Sequence, residues 1–457
     1  LTVMTFLGAG MLSGISAQVS PLQVDTLKET KIPDQWDLQS CIDYAKEQNI
    51  TIRKNRITAA STQIDVKTAK AAMFPSLSFS TGQQVVNRPY QETSSRVSGS
   101  EIISSNSKTS YNGNYGLNAS WTLYNGNKRL KTIQQEKLNN QMAELDVATS
   151  ENNIQESITQ VYIQILYAAE SVKVNENTLQ VSIAQRDRGQ ELLNAGSIAK
   201  SDLAQLEAQV STDRYQLVTA QATLEDYKLQ LKQLLELDGE NEMNIYLPAL
   251  SDENVLAPLP TKRDVYISAL SFRPEIEASK LNVEASELGI NIAKSSYFPT
   301  ISLSAGIGTN HTSGSDFTFG EQVKNGWNNS IGLSVSVPIF NNRQTKSAVQ
   351  KAKLQYETSM LSLLDEQKAL YKTIESLWLD ANSAQQRYAA ANEKLKSTQI
   401  SYELISEQFN LGMKNTVELL TEKNNLLQAQ QEQLQAKYMA ILNTQLLKFY
   451  QGDQLAL

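Results

Sequence analysis

The chain is poor in the residues that build reactive centres. Among 457 residues there is one cysteine, Cys41, and one histidine, His311. A single cysteine makes no intrachain disulfide, no CxxC redox pair and no thiolate cage. A single histidine excludes histidine-cluster zinc sites and two-histidine iron sites. Lys+Arg number 41 against Asp+Glu 48, for a formal charge of −7, and no basic run breaks that balance. An electrostatic nucleic-acid binder needs clustered Lys and Arg, so no nucleic-acid partner is expected. No GxSxG, P-loop or HExxH pattern stands before a fitting element. The acids lie on helical faces as solvated charges, and neither an enzyme nor a bound cofactor or metal is expected. After the N-terminus no apolar run reaches the roughly 18 residues of a membrane helix. A membrane β-barrel is not excluded, because alternating strands hide from hydropathy averages.

Residues 1–17 (LTVMTFLGAGMLSGISA) are apolar, small and uncharged. They read as the remnant of a secretory signal peptide, with a short buried helix as the alternative. No cysteine stands at the cleavage point, so a lipidated N-terminus is not expected. Residues 18–35 form an N-terminal extension. Cys41 shares a helical pattern with Leu38, Ala45 and Ile52, which makes it a small buried apolar residue.

What is present is repetition. GLNASWTLYNGN from Gly116 answers GLSVSVPIFNNR from Gly332, and NAGSIAKSDL from Asn194 answers NLGMKNTVEL from Asn410. Both landmarks return 216 residues later, so the stretch between them admitted no net insertion. A continuous helix explains this, because one extra residue turns its face by about 100°. Phe74-Pro75 matches Phe298-Pro299 at an offset of 224, which places the extra residues in a loop between Pro75 and Gly116. The first repeat covers 36–237, a Pro-containing connector 238–262, the second repeat 263–450 and a tail 451–457. Each repeat reads as a helical stretch (Trp36 to Ala72; Lys262 to Ser296), two alternating strands around a polar loop, a very long helix and a shorter one. The connector is expected at mid-height, as a belt around the helices.

Heptads run along these helices: Leu203, Val210, Leu217, Leu224 and Leu231; Ile158, Ile165, Val172 and Leu179; Leu420, Leu427, Leu434 and Ile441. Such a period predicts coiled-coil seams, with an ordinary amphipathic bundle as the alternative. The strands alternate Leu117, Ala119, Trp121 and Leu123, or Leu333, Val335, Val337 and Ile339, with small polar residues. That pattern fits a solvated sheet or a membrane barrel with a wet lumen. Phe74, Tyr124, Phe298 and Phe340 mark the helix-proximal ends, where an interfacial girdle in outer-membrane lipid would lie. Long polar loops, Val86 to Ser110 and Thr309 to Asn329, are expected at the other ends, with His311 as a solvated loop residue. Four strands cannot close, and open edges are not tolerated in lipid, so several chains must share one barrel.

The doubled strand–strand–long helix–short helix unit, Phe-Pro before the odd strands and a Gly-containing turn ahead of an acid-Leu pair resemble the outer membrane efflux protein family, the TolC type. The resemblance spans about Trp36 to Gln451. It implies a mainly α fold with β: a trimeric outer-membrane β-barrel of about 12 strands, continued by a periplasmic α-helical coiled-coil tunnel. It implies a homotrimer in the outer membrane of a Gram-negative bacterium. This homotrimer is the passive exit channel of a tripartite efflux or secretion system. A periplasmic adaptor protein joins it to an inner-membrane pump, proton-driven or ATP-driven. By the family pattern Glu418 and Asp202 match acidic gate positions, and Thr421 stands where the family has a second gate acid. The alternative for both acids is to favour the following helix through its dipole. The turn residues Asn194, Gly196, Ser197 and Lys200, with Asn410, Gly412, Lys414 and Asn415, become tips where an adaptor hairpin could dock. For the glycines alone, a plain helix cap is the alternative. A periplasmic adaptor is the rival identity, but it would need one helical hairpin flanked by β-domains.

Overall fold

The structure is a computed structural model that describes residues 33–90, 94–98, 101–105, 108–238, 243–248, 255–313, 315 and 317–455. The leader expected over 1–17 and most of 18–35 lie outside the described residues, as does part of the connector.

Each repeat opens with two helices where one stretch was expected. Helix α1 (Leu38–Gln48) starts on Asp37, whose carboxylate accepts from the Ser40 N–H. It ends at Asn49, which also caps α2 (Ile50–Ala71) by accepting from the Thr51 and Ile52 N–H groups. In the second repeat α5 (Lys262–Phe272) stops at Arg273 because Pro274, the first residue of α6 (Pro274–Lys294), forces its predecessor out of the helical region. The buried Arg273 side chain holds that break. Its guanidinium bonds Glu275 at 2.7 Å, pairs with Glu156 and lies over the Tyr450 ring at 4.2 Å.

The long helices α3 (Lys128–Asn194) and α8 (Gln344–Asn410) have 67 residues each, hence about 100 Å of length. Their shorter partners are α4 (Lys200–Leu234) and α9 (Thr416–Gln451). The turns between them are alike. Gly196 and Gly412 adopt φ near +73° and +72°, and Ser197 N–H bonds Leu192 O as Met413 N–H bonds Gln408 O. This is the left-handed cap that glycine takes without strain.

The short helices meet end to end beside the long ones. Asn49 Nδ2 donates to Leu234 O at 3.0 Å, and Ser268 Oγ donates to Gln451 O at 2.8 Å. One core joins Trp36, Cys41 and Ile42 with Ile158, Ile165, Leu231, Leu434 and Ile441; a second joins Val265 and Ile276 with Leu370, Ile374 and Leu447. The heptads thus face the seams, with Val172, Leu179, Leu203, Leu217, Leu224 and Leu420 half-buried. The connector straps this region. Tyr246 N–H bonds Trp36 O, and Gln385 Nε2 donates to Val255 O and Ala257 O.

Strands β1 (Ser76–Asn87), β4 (Thr109–Asn125), β5 (Thr300–Thr312) and β6 (Asn328–Ser336) form one antiparallel sheet in the order β1-β4-β5-β6. Both repeats share it. Pro338, lacking an N–H, falls beyond the end of β6. The expected free loops are a correction. Strands β2 (Ser94–Ser98) and β3 (Glu101–Ser105) pair as a hairpin inside the first, and helix α7 (Phe319–Asn325) occupies the second. Helix α7 is short and was masked by the Gly, Ser and Asn around it, but Thr318 and Glu321 close a capping box on it.

Candidate functional site

The register sorts the sheet into two faces. Leu77 and Phe79 oppose Ala119 and Leu117; these oppose Ala305 and Ile307, and the row continues through Ile331 and Leu333. The other face carries only Ser, Thr, Asn, Gln and Gly between Ser76 and Gln84, Asn112 and Thr122, Thr300 and Thr312, and Asn328 and Ser336. One face is therefore apolar and exposed; the other is polar and uncharged along those stretches. Phe74, Phe298 and Phe340 lie exposed at the helix-proximal end. Tyr124 is half-buried there, brought onto the apolar face by a bulge between Thr122 and Tyr124.

A second aromatic belt, missed in the sequence, stands at the opposite end. Tyr111 and Tyr115 project from the apolar face of β4 beside His311 of β5. The His311 ring lies 5.2 Å from Tyr111, 5.9 Å from Tyr115 and 5.0 Å from Phe319. His311 is thus a packed strand residue, which corrects the solvated-loop expectation. Its period-two spacing from Ile307 was the available signal. Ten residues separate Ile301 from His311, about 33 Å along a strand, or about 25 Å across a sheet tilted near 40°, the height of an outer-membrane apolar band.

The sheet is open. Among the described residues β1 and β6 each lack a strand partner on one side. The helices that continue those edges carry bare seams: Ile50, Ile57 and Ile64, seven apart on α2, and Leu354 and Leu361 on α8 are exposed. Lower down, Tyr215, Val218 and Leu229 of α4 and Ile400 and Leu404 of α8 are exposed as well.

At the turns, Glu418 accepts from the Asn415 N–H at 3.2 Å and from Lys414 Nζ at 2.6 Å, while Asn415 Oδ1 accepts from the Glu418 N–H. Lys414 and the Asn415 N–H hold its carboxyl below the usual carboxylate range. Asp202 accepts from the Ala199 N–H at 3.0 Å. Both acids therefore close the first turn of their helices. Thr421 Oγ donates to Val417 O within its own helix. Asn194 accepts from Gln190, and Gly196, Ser197, Lys200, Asn410 and Gly412 complete the two tips, where Leu411 and Met413 also stand exposed.

Above the tips lies a buried charge cluster that sequence reasoning missed. Lys423 of α9 donates to Asp213 of α4 and to Ser182 of α3; Gln209 donates to the second Asp213 oxygen at 2.8 Å. Lys423 and Asp213 are 3% and 2% exposed. Burial pulls the Lys423 pKa down, and Asp213 opposes that shift. The signal was there: Lys423 falls between Leu419 and Leu426, and Asp213 between Val210 and Leu217, each inside an apolar stripe. At mid-height, burial pushes the Cys41 thiol up to about 12, the behaviour of an inert core residue.

Among the described residues no helix is long and apolar enough to cross a membrane, and no group of His, Cys, Asp and Glu could hold a metal ion. A family model described as outer membrane efflux protein matches residues 41–236 and 265–452. The outer membrane efflux protein BepC of Brucella suis biovar 1 (strain 1330) is 24% identical over 299 residues, 65% of this chain and 62% of its own length. The outer membrane protein TolC of Escherichia coli (strain K12) is 24% identical over 291 residues, 62% of this chain and 58% of its own. The chain thus spans less than two thirds of the length of these two relatives. A crystal structure of CusC superposes with a TM-score of 0.77 at 18% identity, over 91% of this chain and 92% of that one. The fold is shared with that transmembrane channel.

Proposed function

The chain belongs to the outer membrane efflux protein family, and we propose that it is the passive outer-membrane duct of a tripartite efflux or secretion system. The observation that carries this reading is the sheet with one apolar and one uncharged polar face, whose two edges both lack a strand partner among the described residues. Lipid does not tolerate unpaired backbone groups. Rotating copies so that β6 of one meets β1 of the next pairs every edge and brings the α8 seam onto the α2 seam. Three copies give a barrel of about 12 strands, within the known range. The apolar face then meets outer-membrane lipid, the polar face lines water, and the helices extend into the periplasm of a Gram-negative cell.

The helical tips, Asn194 to Lys200 and Asn410 to Asn415, are the surface offered to a periplasmic adaptor, which links the duct to a proton-driven or ATP-driven inner-membrane pump. Three copies of Glu418 near the axis repel one another and attract cations; Asp202 and Thr421 are the lesser candidates for that gate. The adaptor alternative is not favoured, because the strands of both repeats form one shared sheet rather than flanking domains. The family is a channel family, and transport energy comes from the pump. Reconstitution into a planar bilayer tests the reading. Ohmic, nucleotide-independent conductance in discrete steps is expected; a protein that stays in buffer and carries no current contradicts it.

A further inference from the structure

Helix α7 packs along the end of β5 that β6 leaves unpaired, and it reaches the apolar face there. Thr309 and His311 share the face of Ile307 by period two. Thr309 Oγ donates to Val323 O at 2.7 Å, Gln322 Oε1 accepts from the Thr312 N–H at 2.8 Å, and the Phe319 ring meets His311 edge-on at 72°. A Cβ on Gly326 would lie 2.8 Å from Asn310 Oδ1 and 3.2 Å from Thr309 Oγ1, so the chain leaves α7 close against β5. Yet Phe317, Phe319 and Trp327 around this helix are 54%, 57% and 57% exposed. Apolar area left in water forfeits the gain of burial, and three large rings on and flanking a seven-residue helix concentrate that loss in one place. The Lys324 side chain stands exposed in its last turn.

We propose that α7 is an interfacial anchor, bedding Phe317, Phe319 and Trp327 among the acyl chains and headgroups of the outer leaflet beside the barrel. Its height is right: it packs on His311, at the upper limit of the apolar band. Its composition is right: aromatic rings favour the boundary between hydrocarbon and headgroup, and a lysine there keeps its stem in the apolar layer and its charge at the phosphates. The inference rests on the reading that the apolar face of the sheet meets lipid, and it deepens that reading by naming the element that sets depth at the outer rim.

Tryptophan quenching separates the two claims. Trp121 lies on the apolar face near the helix-proximal end and Trp327 beside α7. The protein is reconstituted with lipids brominated near the carbonyl or near the chain end. Emission lost in Trp327→Phe reports Trp327, and emission lost in Trp121→Phe reports Trp121; neither exchange touches the buried core. The Trp327 share is expected to fall at least twofold with bromines near the carbonyl and little with aqueous iodide. If iodide quenches Trp327 while brominated lipid does not, α7 stands in water and the anchor is overturned. If neither quenches it, a neighbouring copy covers α7, which overturns the anchor equally. If brominated lipid fails to quench Trp121, the membrane reading itself fails.

Discussion

Lys423 and Asp213 sit where their helices otherwise place aliphatic side chains, and each is tolerable only because the other is there. Removing one partner leaves a buried uncompensated charge, a loss of about 3–5 kcal/mol, whereas an apolar pair of similar volume is close to neutral. Asp213→Asn or Lys423→Met alone should therefore loosen α9 from α4 and sensitise the lower hairpins to protease. The joint exchange Asp213→Leu with Lys423→Met should restore resistance; equal sensitivity of single and double variants would deny the coupling. Glu418 carries a second residue-scale prediction. Its folded pKa lies below the ordinary value of 4.5. The stabilisation from Lys414 is thus present above that ordinary value and is lost only as pH falls through the lowered one. At any pH near the ordinary value more of this carboxylate is charged than of an unpaired glutamate. Reversal potentials should therefore show a cation preference that fades at lower pH than an unpaired glutamate would give, and Glu418→Gln should weaken it. An unchanged preference in Glu418→Gln removes the residue from the gate.

The long helices were legible because the repeat offset stayed constant across them and heptads marked their seams. The breaks in the opening helical stretches at Asn49 and Arg273 were less so. Asn49 is one amide in a polar run, and its role as a double cap depends on Leu234, far away in the chain. The sheet's alternation was readable, but its length was not. Tyr111, Tyr115 and His311 keep the period of two inside Ser-, Asn- and Gly-rich sequence that otherwise signals turns. A register argument yields a contrast at this scale. One residue inserted near Ile165 rotates all that follows in α3 by about 100° and takes its seam off α4 and α9. One residue inserted between β2 and β3 lengthens a hairpin connection and leaves the four-stranded ladder in register. Trimer recovery on unheated gels should vanish for the first insertion and persist for the second. Loss in both would mean that the hairpin has a part in assembly.

At the scale of the molecule, the sheet and the helices are incomplete on the same two sides. The edge strands β1 and β6 continue into α2 and α8, so one rotation of a copy serves both the hydrogen-bond ladder and the apolar seams. Ile57 lies in the middle of the α2 seam and is 61% exposed in the single chain. Ile57→Lys should leave helix content by circular dichroism unchanged while reducing assembly, because only a neighbouring copy would feel the charge. The most direct test of the central claim, that copies of this chain complete a shared barrel through lipid, is the native mass of the protein extracted from membranes in mild detergent. The account predicts three chain masses, with heat needed to release the single chain. A single chain mass, from a protein that stays dispersed without detergent, would contradict it.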